Sequence, residues 1–121
     1  MRTAALLAKH QLNDASALPA KTALYHATLG GAKALGLDNL TGSLSIGKQA
    51  DMIAVDCSTP SMQPLHDPIS QLVYTNASNN VSNAWINGEQ KLKQGVLVDI
   101  DTAELLKTTH KHQCAIAKTT S

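Results

Sequence analysis

Apolar positions change their period along this chain of 121 residues, first helical, then strand-like, then helical again. Over residues 2–12, Leu6, Leu7 and Leu12 recur among alanines and basic residues, which predicts a short helix. Asn13-Asp14-Ala15-Ser16 ends it, because short polar side chains compete for nearby backbone groups and can cap the next helix. Pro19 suits the first turn of a second helix, where a missing N–H breaks no hydrogen bond. There Ala20, Ala23, Leu24, Ala27, Gly31, Ala34 and Leu35 fall at three- and four-residue spacing, the stripe of one helical face. Gly30 and Gly31 inside the stripe disfavour helix by about 1 kcal/mol each. Close packing of that face against another element would offset this. Gly36 fits a left-handed C-terminal cap, with Leu37 folding back on the last turn.

Beyond Gly36 short apolar runs bounded by turn residues take over. The segment 42–56 predicts a hairpin: a strand around Leu44 to Ile46, a turn at Gly47, and a buried strand over 52–55 between Asp51 and Asp56. Pro60 and Pro64 make the following stretch an extended loop. His66-Asp67-Pro68 is a turn leading into an apolar run over 69–75, which predicts another strand. Residues 81–86 form a strand, Asn87-Gly88 is a hairpin turn, and 90–92 and 96–100 complete the strands. Asp101-Thr102-Ala103-Glu104 resembles a capping box, so a last helix starts near Thr102 and frays over Lys118, Thr119, Thr120 and Ser121. The order of two helices, a run of strands and a helix is α+β, with a small, mainly antiparallel sheet. The expected division is a helical segment over 1–37 and a sheet with a terminal helix over 38–121.

Composition limits the core. Hydrophobic residues at 43% and charged residues at 16% describe a globular chain. Aromatics are 2%, with no Phe, so Tyr25, Tyr74 and Trp85 are its only large rings. Trp85 is the largest core residue, or an interface anchor if the sheet meets another chain. Alanine buries little area, and at about 25 cal/mol per Å² an isolated monomer should be marginal. A net charge of +1 gives no electrostatic case for nucleic acid or an anionic membrane. No apolar run approaches the ~20 residues of a membrane span. The apolar run at the start is interrupted by Lys9 and His10, which favours a helix over a leader. Cys57 and Cys114 are far apart and no secretion signal is evident, which points to reduced thiols in a cytoplasmic protein.

Few side chains suggest chemistry. His110, His112 and Cys114 form the one cluster of metal-ligand type. On a helix His110 and Cys114 share a face while His112 points away; in an extended tail all three align. The cluster offers an adventitious or structural metal site, or simply an exposed helix end where histidine suits the C-terminal dipole. Cys57 lacks a basic neighbour in sequence and reads as a small buried residue. Asp51 and Asp56 could be paired carboxylates for proton transfer, but flanking a strand they serve better as turn caps. Gly47-Lys48 leads into a strand rather than a helix, so it is not a phosphate loop.

The order of residues adds a resemblance. Gly42-Ser43-Leu44, Gly47-Lys48, Ala50-Asp51, Ile53 and Asp56 form a signature similar to one in the amidohydrolase superfamily. Ala27-Thr28 with Ala32, Leu35 and Gly36 resembles the helix that precedes it there. The run from Asp67 to Tyr74 and the run Val81-Ser82-Asn83-Ala84-Trp85-Ile86-Asn87-Gly88 resemble segments of the methylthioadenosine/S-adenosylhomocysteine deaminase and chlorohydrolase branch. The matches span roughly residues 2–100, in the family's order. The resemblance implies a (β/α)8 barrel flanked by a small β-sandwich, with histidines and an aspartate around zinc or iron. It implies hydrolysis of C–N bonds, such as deamination of an aminopurine or related ring by metal-activated water.

Those metal positions precede Met1 in the family pattern, and the His110-Lys111-His112 spacing lies in the wrong part of it. No residue here is therefore assigned a catalytic, substrate-binding or cofactor role. Residues 1–37 resemble the last barrel helices, and 38–121 the C-terminal part of the sandwich with a terminal helix. The expectation is a structural C-terminal portion of a metal-dependent deaminase, inactive alone. The alternative is an independent α+β interaction domain. In both, uncovered helix faces and sheet edges favour a homo-oligomer.

Overall fold

In a computed structural model, which describes residues 1–119, the chain is α+β. Helix α1, Arg2–Leu12, has the bounds its leucine pattern predicts. It closes with Asn13 in the left-handed region at φ 48°, and Asp14 Oδ1 then accepts from the N–H and hydroxyl of Ser16 at 2.8 and 2.7 Å. Pro19 lies just before α2, Ala20–Tyr25. A π turn, His26–Gly30, joins α2 to α3, Gly31–Ala34.

The π turn corrects the single helical stripe. A π turn takes up one residue more than an α turn, so residues after it are rotated relative to those before. Ala20 and Ala23 are buried as expected, but Ala32 takes the inner position beyond the turn. Leu35 instead stands 75% exposed. Gly30 is tight against its own helix rather than a separate element: a Cβ there would lie 3.0 Å from the Tyr25 ring. The C-terminal cap forms as predicted, with Gly36 at φ 69° and the Leu37 N–H donating to the Ala32 carbonyl at 2.8 Å.

The hairpin expected over 42–56 does not form. Its second strand exists as β1, Met52–Val55, but pairs antiparallel with β2, Val81–Ile86. Leu44 and Ile46 have no strand beside them and stand fully outward, at 79% and 109% exposure. Residues 38–50 are an irregular loop, tied by the Gln49 N–H to the Leu40 carbonyl at 2.8 Å. The Lys48 ammonium donates to the carbonyls of Asp38 and Thr41. Gly42 at φ 87° brings this loop against the helix, where a Cβ would meet that of Ala32 at 2.6 Å.

The apolar run after Pro68 is also corrected: it is helix α4, Pro68–Tyr74, not a strand. Asp67 caps it, accepting from the N–H groups of Ile69 and Ser70 at 3.3 and 3.2 Å, and Pro68 opens the first turn. That start signal and the shared face of Ile69 and Val73 outweigh the β preference of Val73 and Tyr74. Short 3₁₀ turns at Pro60–Met62 and Ala77–Asn80 lead into and out of this region.

The sheet order is β1-β2-β3-β4, all antiparallel, with β3 at Glu89–Lys93 and β4 at Val96–Leu97. Asn87 and Gly88 turn β2 into β3 with φ 51° and 80°, as their order predicts. The expected strand over 96–100 shortens to two residues.

Helix α5, Thr102–Thr119, begins where Asp101 Oδ1 accepts from the N–H groups of Ala103 and Glu104 at 2.9 and 3.0 Å. The expected fraying falls partly outside the described residues, at Thr120 and Ser121.

The core lies where α1, α2 and α4 meet. Ala5, Ala20, Ala23 and Val73 form it, with Leu18, Ile69 and Tyr74 packed around. Met62 is also fully buried, its sulfur 3.3 Å from the Thr75 hydroxyl. No sheet residue is fully buried; Trp85 is partly covered rather than a core residue. Every side chain over 102–117 is exposed.

Candidate functional site

The histidines are placed apart by the elements that carry them. His10 is exposed in the last turn of α1, beside an open depression shared with Arg2, Thr3, Leu6 and Leu7. His26 opens the π turn, its ring edge-to-face with Tyr25 at 5.6 Å. His66 sits in the turn before α4, its N–H donating to the Pro64 carbonyl at 3.2 Å.

Asp51 and Asp56 have separate partners. Asp51 Oδ1 accepts from the Asn87 N–H at 2.7 Å and Oδ2 from the Thr41 hydroxyl at 2.8 Å. It therefore joins the β2–β3 turn to the 38–50 loop. Those two bonds favour the carboxylate and hold its pKa below the ordinary 3.8. Asp56 Oδ1 accepts from the hydroxyl and N–H of Ser58 at 2.7 and 2.8 Å, which lowers its pKa in the same way. Both carboxylates act as turn fasteners, the role their position beside a strand suggests. The Thr41 contact was not legible, since Thr41 and Asp51 are brought together only by the intervening loop. Lys91 bridges Glu89 and Asp99 at 2.7 and 3.0 Å, and both partners raise its pKa.

Cys57 is a half-buried free thiol 3.7 Å from the Val55 carbonyl oxygen. On α5 the helical alternative holds for the other cluster. Cys114 Sγ lies 3.7 Å from His110 Nε2, both exposed, while His112 is two residues along the helix.

A hydrolytic metal centre takes about three protein ligands and an open water position. Among the described residues no three of His, Cys, Asp or Glu are grouped to hold an ion. The donor set of the described residues does not fit such a centre.

An open concavity of about 380 Å³ lies between the start of α1, β1 and α4, bordered by Arg2, Ile53, Val55, Leu72, Val73 and Thr75 among others. It offers apolar surface rather than acid–base groups. No helix among the described residues is long and apolar enough to cross a membrane.

Known proteins supply a frame for this arrangement. A sequence profile described as the amidohydrolase family matches residues 1–91. A 5-methylthioadenosine/S-adenosylhomocysteine deaminase of Teredinibacter turnerae is 46% identical over 105 residues, covering 87% of this chain and 24% of that protein. Its counterpart in Moorella thermoacetica is 40% identical over 114 residues, covering 91% of this chain and 27% of that protein. Among solved structures, an adenosine deaminase from Xanthomonas campestris with bound zinc has a TM-score of 0.92 at 48% identity. The match covers 97% of this chain and 27% of that one. Atrazine chlorohydrolase from Arthrobacter aurescens, complexed with zinc, has a TM-score of 0.77 at 26% identity over 91% of this chain and 25% of its own. The chain thus spans about a quarter of the length of the relatives it matches. On the profile match and these likenesses, the chain belongs to the amidohydrolase family.

Proposed function

We propose that this chain is the C-terminal structural portion of a metal-dependent amidohydrolase that deaminates an aminopurine or related ring. The observation that carries the reading is the 0.92 TM-score to a zinc-bound adenosine deaminase over 27% of that enzyme. Residues 1–37 then correspond to the closing helices of a barrel, and 38–121 to part of a companion sandwich with its terminal helix. The uncovered apolar surface is consistent with this role: Ile53 and Ile86 on the sheet and Leu105 on α5 are exposed. In the complete enzyme such surface would rest against the catalytic barrel, which would hold zinc or iron.

The test is complementation. The purified chain with added zinc is expected to turn over neither methylthioadenosine nor S-adenosylhomocysteine. Produced together with the preceding three quarters of the Teredinibacter deaminase, it is expected to restore deamination. Turnover by the chain alone would overturn the scaffold role, and failure of a well-folded pair to assemble would overturn the correspondence. A second reading rests on the same bare surface: an independent domain that covers it by self-association. A stable monomer in sedimentation at low concentration would rule that reading out.

A further inference from the structure

The His110–Cys114 pair has a geometry that the scaffold role does not use. In a tetrahedral zinc site with Zn–S of about 2.3 Å and Zn–N of about 2.05 Å, the S···N edge is about 3.6 Å. His110 Nε2 and Cys114 Sγ lie 3.7 Å apart. A cation at the apex of that edge would lie within bonding distance of both donors. The i, i+4 spacing on α5 sets this separation, and α5 is helical through both residues. Thiolate and imidazole select zinc and similar borderline-soft ions over magnesium or calcium. Both donors are exposed.

Two donors fill half of a tetrahedron. His112 cannot complete it, because two residues along a helix turn a side chain by about 200° to the far face. A second copy can. Related by a two-fold axis across α5, it presents the same pair to the same ion, an isologous contact that closes on itself. Leu106, one turn before His110 on the same face, is 69% exposed and would supply apolar contact beside the ion in each copy. We infer that His110 and Cys114 of two copies bind one zinc-class divalent cation and join the chains through α5. On binding, each Cys114 thiol releases its proton to solvent. The two thiolates balance the dication, the two imidazoles remain neutral, and no electron is transferred.

The inference is independent of the scaffold role and is tested on the full chain in a non-chelating reductant, which excludes a disulfide between copies. Sedimentation with zinc against a chelator reads the metal-dependent increment in association, whatever the basal oligomer. The expected result is one zinc per two chains and self-association tightened at least ~10-fold at an ion concentration tenfold above its dissociation constant. Cobalt in place of zinc should give thiolate-to-metal absorption. Cys114→Ser and His110→Gln should each abolish both effects; His112→Gln and Cys57→Ser should keep them. Circular dichroism verifies that each variant retains its helix content. One metal per chain without a mass change, a cobalt spectrum lacking the thiolate band, or equal losses in His112→Gln and His110→Gln would each overturn it.

Discussion

Replacing Gly42 with alanine tests the contact that seats the 38–50 loop on the helix. Two effects add at this position. The first is backbone strain: φ is 87°, where an L side chain costs about 1–2 kcal/mol. Restricting the unfolded chain returns about 0.4–1 kcal/mol of that. The second is overlap. The new Cβ would lie 2.6 Å from Ala32 Cβ and 3.1 Å from Leu29 Cα, whereas carbon atoms prefer about 3.5–4.0 Å. Neither neighbour is the end of a flexible side chain, so the overlap should cost a further ~1–3 kcal/mol, as in overpacked cores.

Gly47 is the internal control. It has φ 92° with nothing within 4 Å of a built Cβ, so Gly47→Ala carries strain alone. Urea unfolding followed by circular dichroism should place Gly42→Ala about 1.5–4 kcal/mol below the parent and Gly47→Ala about 0.5–1 kcal/mol below it. Near the thermal midpoint that separation is several degrees, at about 4 °C per kcal/mol for a chain of this size. Ala32→Gly added to Gly42→Ala removes the overlapping atom and should recover part of the loss despite its own helix cost. Equal losses at Gly42 and Gly47 would refute the close approach, and so would the absence of any coupling to Ala32.

The core and the carboxylates supply two further outcomes. Met62→Ala should cost about 2–5 kcal/mol in the same urea assay, while Met62→Leu keeps the volume and should cost under ~1.5 kcal/mol; similar losses would mean the site collapses freely. Asp14, Asp51, Asp56 and Asp67 all have pKa values held below 3.8 by hydrogen bonds, so the unfolded chain binds protons first. Their contribution is present above about pH 4 and is lost as pH falls through the depressed folded values. The urea midpoint should fall below pH 4, and less steeply in Asp51→Asn; an unchanged slope in that variant would contradict its ionised role.

Local signals are the legible part of this fold. The leucines of α1, the Asn87-Gly88 turn and the Asp101 cap each act within a few residues, and all appear where the sequence places them. Two expected strands fail for different reasons. Leu44 and Ile46 have strand-like chemistry, but a strand needs a partner, and β1 pairs with a segment some 30 residues away rather than with them. At 69–75 residue type alone favours a strand, although Asp67 and Pro68 already carry a helix start. The π turn has no sequence signal beyond two adjacent glycines. Among candidate site residues, the separate duties of Asp51 and Asp56 are visible in their position beside β1. The 3.7 Å approach of His110 and Cys114 comes from spacing once the helix is granted. Thr41 is invisible because its partner is chosen by the loop's path.

The wide turn at His26–Gly30 also governs how this chain can change by insertion and deletion. Loss of one residue between 26 and 30 could be absorbed by the helix itself, closing from π to α with its backbone bonds restored. Because the wide turn already holds the extra residue, everything beyond it would keep its orientation, with Ala32 still against Gly42 and the 38–50 loop still seated. A one-residue deletion in the regular turns of α2 has no such slack and would rotate the residues beyond it by about 100°. The turn is therefore the place where this helix can shorten by one residue without disturbing the loop packed on it.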